Sequence, residues 1–275
     1  MPVSRLLAEG KLDIEVFGSL LAGNPVVDPH PTPKGSLKPR SLDLRRETKK
    51  PVCYLRDRDF DFLPAADLTQ PTIDASEPGG AILGWRWCRH EIENYLLDPG
   101  VIHAALGWDQ AAFETELVNA ARGIKHYQAA RWTVGQTRQI LPPAKEFPSK
   151  PGECLGHEFL LPADLSQPAT AHWVHTQAAA FVASVQGVLA GAQITADLTN
   201  HTSRLTDAFL ADVRSVLVWC SGKDLFAALM PWLQSTHKIH PSQLRSLVRD
   251  WIAVNPDQTL VLLPEWKTFR DLLRA

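Results

Sequence analysis

Bulk charge says almost nothing about what this chain meets. Its 275 residues hold 28 Lys and Arg against 30 Asp and Glu, a formal net charge of −2. A nucleic-acid ligand would have to be met by a local patch on a neutral background. Closely spaced cysteine is also missing. Cys53, Cys88, Cys154 and Cys220 form no C-x-x-C pair. That excludes a zinc ribbon and a small disulfide scaffold, and it predicts a reducing, cytoplasmic setting. No apolar run long enough for a signal peptide precedes Glu9, which agrees with that setting. Internal repeats are absent. Charge is absent locally too: residues 165–196 contain no Asp, Glu, Lys or Arg. His172, His175, Gln177, Ser184, Gln186 and Gln193 interrupt this stretch, so the expectation is a buried helix and no membrane span. What is present is an ordinary globular composition, 45% apolar and 21% charged, which rules out disorder and fibre. At roughly 100–200 residues per domain, one large or two modest domains are expected.

The first hundred residues alternate between short strands and helices. Ser4 to Ala8 reads as a strand, and Lys11 to Ala22 as a helix with Ile14, Phe17 and Leu21 at helical spacing. Gly23-Asn24-Pro25 stops it, and Val26-Val27 begins a second strand. Val52-Cys53-Tyr54-Leu55 is a short apolar run suited to a strand buried on both faces. A polar loop from Leu63 to Gly80 leads to a strand over Ala81 to Trp87. Beyond it the chain reads as helical: His90 to Leu97, then a helix through Leu106 capped by Asp98-Pro99. Gln110 to about Leu141 reads as one helix, or as two broken near Gly123 or Gly135. Pro142 to Glu153, with four prolines, is a linker candidate. Residues 170–214 read as helices, Ser215 to Trp219 as a strand, and Ser221-Gly-Lys-Asp as the cap of a helix over Leu225 to Leu233. Ser242 to Ile252 and Glu265 to Arg274 close the chain as helices. This is an α/β pattern: an N-terminal parallel sheet flanked by helices over residues 1–106, then a mainly helical region over 107–275.

The acids carry the chemistry. Glu9 follows one apolar run directly, and Asp57 follows another after only Arg56. In a parallel sheet both lie at the carboxyl ends of strands, where ligands bind. Asp57, Asp59 and Asp61 alternate, and Asp57 and Asp59 project to one side if that segment is extended. Carboxylates that close repel one another and are stable as anions mainly with a cation between them. Hard oxygen ligands suit Mg²⁺ or Mn²⁺. Two other readings of D-x-D-x-D stand beside this one, a solvated turn and the D-x-D nucleophile of an aspartyl-phosphate phosphatase. An EF-hand is excluded, because Phe62 and Leu68 stand where that loop needs glycine and glutamate.

Three segments together resemble a TOPRIM-type domain: Ala8-Glu9-Gly10-Lys11-Leu12-Asp13, Tyr54-Leu55-Arg56-Asp57-Arg58-Asp59-Phe60-Asp61, and His90-Glu91-Ile92-Glu93-Asn94-Tyr95-Leu96-Leu97. The resemblance spans roughly residues 4–106, with a weaker echo at Ser221-Gly222-Lys223-Asp224-Leu225. It is to the TOPRIM nucleases of bacterial anti-phage systems, the OLD family and the nuclease partner of the PARIS system. It implies that Glu9, Asp57 and Asp59 hold a catalytic Mg²⁺ or Mn²⁺, with Asp61 a further ligand. Asp13 would hold a second metal, and Glu91 and Glu93 match the family's later acidic pair. Which of those two faces the site is left open, with Glu93 capping or solvated in one version.

The implied chemistry is hydrolysis of phosphodiester bonds in DNA or RNA. Glu9 or a metal-activated water is the base, and Lys11 or Lys223 stabilises transition-state charge, although Lys223 reads more simply as a solvated residue of a capping turn. Topoisomerase chemistry is excluded for want of a free tyrosine among Tyr54, Tyr95 and Tyr127, and zinc-bearing primases for want of clustered cysteines. The proline-rich stretch after Val27 departs from the family pattern where its second helix belongs. From Lys34 to Lys50 that stretch carries Lys34, Lys38, Arg40, Arg45, Arg46, Lys49 and Lys50 against Asp43 and Glu47. It is the candidate phosphate-binding segment, or else an exposed charged loop. Arg122, Lys125, Arg131 and Arg138 extend it weakly. His172-x-x-His175 and His237-x-x-His240 lack a completing acid or cysteine and read as ordinary surface or core histidines. No Walker A motif occurs, so the family's ATPase dependence would come from a partner chain. The helical half would then serve dimerisation, partner docking or substrate choice. A metal- or nucleic-acid-binding scaffold without catalysis is the remaining alternative.

Overall fold

The computed structural model describes residues 2–143, 163–164 and 166–275. Most of the expected linker, Pro142 to Glu153, lies outside them, as does Cys154. Five strands form one sheet: β1 (Arg5–Ala8), β2 (Val26–Val27), β3 (Val52–Arg56), β4 (Thr72–Ser76) and β5 (Ile82–Arg86). Their order is β2-β1-β3-β5-β4, parallel except for β4, which runs antiparallel along β5. β4 falls in the segment expected to be loop. Its sequence, Thr-Ile-Asp-Ala-Ser, lacks a continuous apolar run because an edge strand is paired on one side only. Asp74 in its middle instead accepts from Tyr54 Oη at 2.6 Å and from Arg86 at 3.2 Å.

The side chains alternate across the sheet with the period of two that strands impose. Leu7, Val52, Tyr54 and Leu83 face α2 (Leu37–Thr48), which lays Leu37 and Leu44 on them. The basic, proline-rich stretch is therefore a helix with Pro39 in its first turn, where a missing N–H is tolerated. From Leu37 on it is not an exposed loop. On the other face, Leu6, Cys53, Leu55, Trp85 and Trp87 join α1 (Lys11–Leu20) and the last helices in one continuous core.

The remaining helices are α3 (Glu93–Leu96), α4 (Pro99–Leu106), α5 (Gln110–Ile140), α6 (Gln167–Val188), α7 (Gly191–Arg204), α8 (Val213–Trp219), α9 (Gly222–Trp232), α10 (Pro241–Val254), α11 (Pro256–Leu262) and α12 (Pro264–Arg274). Phe17 stacks on Trp87 at 5.3 Å between ring centroids, and Trp266 and Phe269 of α12 close over the pair. The core thus takes side chains from both ends of the chain.

Two expectations for this half change. Ser215 to Trp219 lies in helix α8, although its valines and tryptophan suit a strand. Asp212 decides the matter by accepting from the amides of Arg214 and Ser215, which caps a helix. From Gln167 on, the uncharged stretch is largely helical but not buried. No side chain of α6 is buried, and α7 buries only His201. By length and composition, Gln167–Arg204 is apolar enough to cross a membrane. α5 is one unbroken helix, capped by Asp109, which accepts from Ala112 N at 2.8 Å.

Candidate metal centre

Strands β1, β3 and β5 are neighbours, and Ala8 pairs with Leu55 as Arg56 pairs with Arg86. The three segments that leave their carboxyl ends therefore emerge side by side. β1 releases Glu9 and β3 releases Asp57, Asp59 and Asp61. His90, Glu91 and Glu93 follow β5. Asp13 reaches the same edge from the first turn of α1. The acids are separate in sequence and converge because the sheet is parallel at this point.

Asp59, His90 and Glu91 each present a ligand atom within 4.8 Å of the others. His90 is buried, and neither ring nitrogen has a hydrogen-bond partner among the described residues. Its ring packs edge-on against Phe60 at 4.1 Å, and Trp132 stands beyond. Burial first, then the charges of Arg58, Arg131, Lys223 and Lys34, hold the imidazole neutral, well below its usual pKa. A neutral imidazole with free nitrogens is a metal ligand's state. Asp59 adopts a left-handed backbone, φ 49°, and its amide donates to His90 O at 2.9 Å. The segment is thus bent, not extended as the alternation of acids suggested.

Behind this trio lies a second layer. Asp13, Asp57 and Glu93 are all buried, and Glu9 is half-buried. Glu9 Oε2, Asp57 Oδ1 and Glu93 Oε2 have no hydrogen-bond partner among the described residues. Desolvation raises the pKa of all four acids. Asp13 reaches about 7, with Glu93 its strongest charged opponent, and Asp57 is pushed up further by Asp13, Asp59 and Glu91. Buried carboxylate oxygens without donors are costly unless protonated or paired with a cation. The donor set of this buried Asp/His/Glu cluster can coordinate a divalent metal.

Two lysines approach the cluster. Lys34 Nζ lies 2.5 Å from Asp59 and 2.6 Å from Asp61. Lys223, at the start of α9, places its ammonium 2.6 Å from Glu91 and 3.6 Å from Glu93. Glu91 also accepts from Ser221 Oγ at 2.7 Å and from the Lys223 amide at 2.8 Å. Asn94 accepts from the amides of Glu91 and Gly222, both at 3.1 Å. The approach is so close that a Cβ on Gly222 would lie 2.7 Å from the Asn94 amide. The C-terminal half therefore contributes to the site.

Compared with known families and curated proteins, the sequence matches none.

Glu9, Asp13, Asp57, Asp59, Glu91 and Glu93 all come to the cluster, and neither Glu91 nor Glu93 is solvated. Asp61 reaches its edge but is held by Lys34 and by Arg56 at 3.3 Å. Lys11 does not arrive. Its side chain is 83% exposed and pairs with Glu15 at 3.7 Å, because it lies on the solvent side of α1. The basic stretch divides. Lys34 joins the acids, whereas Arg45 is held by Val52 O at 2.7 Å, Ile82 O at 2.6 Å and Glu77 at 3.2 Å. Lys38, Arg40 and Arg46 are exposed along α2. Lys49 and Lys50 stand beside Pro51 and Ile82, at the amino ends of β3 and β5, away from the acids.

Sequence reasoning passed over His90 as a ligand and undervalued Lys223. His90 had a visible signal, an imidazole directly before an acid just after a strand. Lys223 had only the weak echo around Ser221, and its pairing with Glu91, 132 residues away, had no local signal. Of the paired histidines, His237 stacks on Trp108 at 3.6 Å and His240 caps α10.

Proposed function

We propose that the chain is a divalent-metal-dependent nuclease of the TOPRIM type, hydrolysing phosphodiester bonds at the carboxyl edge of its sheet. The observation that supports this most is the pair of buried oxygens on Glu9 and Asp57 left without hydrogen-bond donors, beside the free nitrogens of His90. Asp59, His90 and Glu91 would hold one Mg²⁺ or Mn²⁺, and Glu9, Asp13, Asp57 and Glu93 would take or support a second. Metal bound there supplies Lewis acidity toward a phosphodiester and its attacking water. The protein's own groups do the rest. Lys34 and Lys223 set two positive charges beside the acids, where a phosphate's negative charge is received. Glu9, whose raised pKa comes mainly from burial, would take a proton from water. Ser221 and the Lys223 amide fix the Glu91 carboxylate, so its orientation is set before substrate arrives.

The test is incubation with plasmid, single-stranded DNA and tRNA in Mg²⁺, Mn²⁺ or EDTA. The expected result is metal-dependent cleavage that falls at least about a hundredfold in Glu9→Ala and Asp57→Ala. Cleavage that persists in EDTA, or that survives Asp57→Ala, contradicts the proposal. Hydrolysis of small phosphate esters that survives Glu9→Ala would point to a phosphatase instead.

A further inference from the structure

Beside the metal centre, a cavity of about 490 Å³ opens between the acidic loops and α5. One wall carries Asp59, Glu91, Lys34 and Lys223. The other is a stripe along α5, Tyr127, Arg131, Val134 and Arg138, spaced by four, three and four residues and so on one helix face. α5 is held tightly against the acidic loop. A Cβ on Gly135 would fall 2.4 Å from Phe60 Cβ, and Gln136 Nε2 donates to Phe60 O at 3.1 Å and Asp61 O at 3.2 Å.

The stripe is poised for contact. Tyr127 is 58% exposed and Val134 is 60% exposed. Arg131 is fixed by its ion pair with Asp224 and lies 4.4 Å over the Phe60 ring and 5.8 Å from the Tyr127 ring. Arg138 is exposed and has no hydrogen-bond or ion-pair partner among the described residues. An exposed aromatic face flanked by guanidinium groups on a rigid helix is the arrangement on which unpaired bases stack while their phosphates are neutralised.

We propose that this stripe is a binding subsite for an unpaired nucleic-acid strand. A base stacks on Tyr127; Arg138, about 16 Å further along the helix, takes a phosphate further along the strand; and the strand runs into the cavity toward Asp59, His90 and Glu91. The cavity is of a size that encloses a small-molecule ligand, so it admits a nucleotide or two. A duplex, whose major groove alone is about 12 Å wide, does not fit inside. Its bases, stacked and paired, do not offer their faces to Tyr127. What becomes of the bound strand rests on the nuclease reading; the binding itself does not.

The experiment measures fluorescence anisotropy of short labelled oligonucleotides, as single-stranded DNA, single-stranded RNA and duplex, with the full chain in Ca²⁺ and in EDTA. The expected result is tighter binding of a single strand of either sugar than of the duplex, weakened about tenfold by Tyr127→Ala and by Arg138→Ala. Tyr127→Phe retains the affinity, and unchanged melting temperatures show that the variants are folded. Duplex bound as tightly as single strand, or variants that bind like the wild type, overturn the subsite. The two proposals separate cleanly. Single-strand binding that depends on Tyr127, without metal-dependent cleavage, removes the nuclease and keeps the subsite. Duplex cleavage that needs Asp57 but not Tyr127 does the reverse.

Discussion

Asp13 lies on the first turn of α1 with only 4% of its surface exposed, and burial lifts its pKa from 3.8 to about 7. An acid with a raised folded-state pKa destabilises the fold as pH rises, because the unfolded chain ionises first. The penalty is absent below about pH 4, grows through the interval up to about pH 7, and then levels. Asp13→Asn removes the ionisable group and should raise the melting temperature of the metal-free protein at pH 8 by about 3 °C or more, with little change at pH 4. Equal shifts at the two pH values, read by differential scanning calorimetry, would contradict this account of Asp13. At this scale the sequence was informative about Glu9 and Asp57, since each closely follows a short apolar run. It was less informative about their partners. Ser221 and Lys223 meet Glu91 across 130 and 132 residues of chain, and no local pattern announces that meeting. Lys11 shows the converse, a nearby charge that a helix turn carries to the solvent side.

Parallel strands β1, β3 and β5 were legible because strands buried on both faces read as short apolar runs. Edge strand β4 was not, and α8 was mistaken because valine-rich segments suit strands until a cap such as Asp212 commits them to a helix. α2 was masked by prolines that turn out to occupy its first turn and the approach to it. The close fit of α5 on the acidic loop gives an element-scale prediction. Gly135→Ala brings a methyl group 2.6 Å from the Phe60 carbonyl oxygen and 2.4 Å from its Cβ, so α5 and the Asp59 loop must separate. Such overpacking destabilises by about 1–3 kcal/mol. Mn²⁺ affinity should also fall, because Asp59 moves with Phe60. Gly123→Ala, on the same helix where a Cβ meets nothing within 4 Å, is the control and should retain both properties. Identical behaviour of the two variants would show that the Gly135 contact does not position the loop.

Across the whole molecule, one core links the sheet to the C-terminal helices. Trp266 and Phe269 pack on Phe17 and Trp87, and Glu265 accepts from the Cys88 amide at 2.8 Å and from the Tyr95 hydroxyl. The candidate metal centre is built the same way, with Asp59, His90 and Glu91 from segments that leave the sheet and Lys223 from the helical half. The −2 net charge conceals this arrangement: acids gather at one edge of the sheet, Lys34 and Lys223 lean into them, and the exposed basic residues of α2 do not join them. The central claim is that the buried Asp/His/Glu cluster binds a divalent cation, and isothermal titration of the full chain with Mn²⁺ tests it most directly. Wild-type protein should bind Mn²⁺ with saturable heat at pH 7.5, and Asp57→Ala and Glu91→Ala should weaken that binding at least about tenfold. No saturable binding in the wild type, or the same affinity in both variants, would contradict the claim.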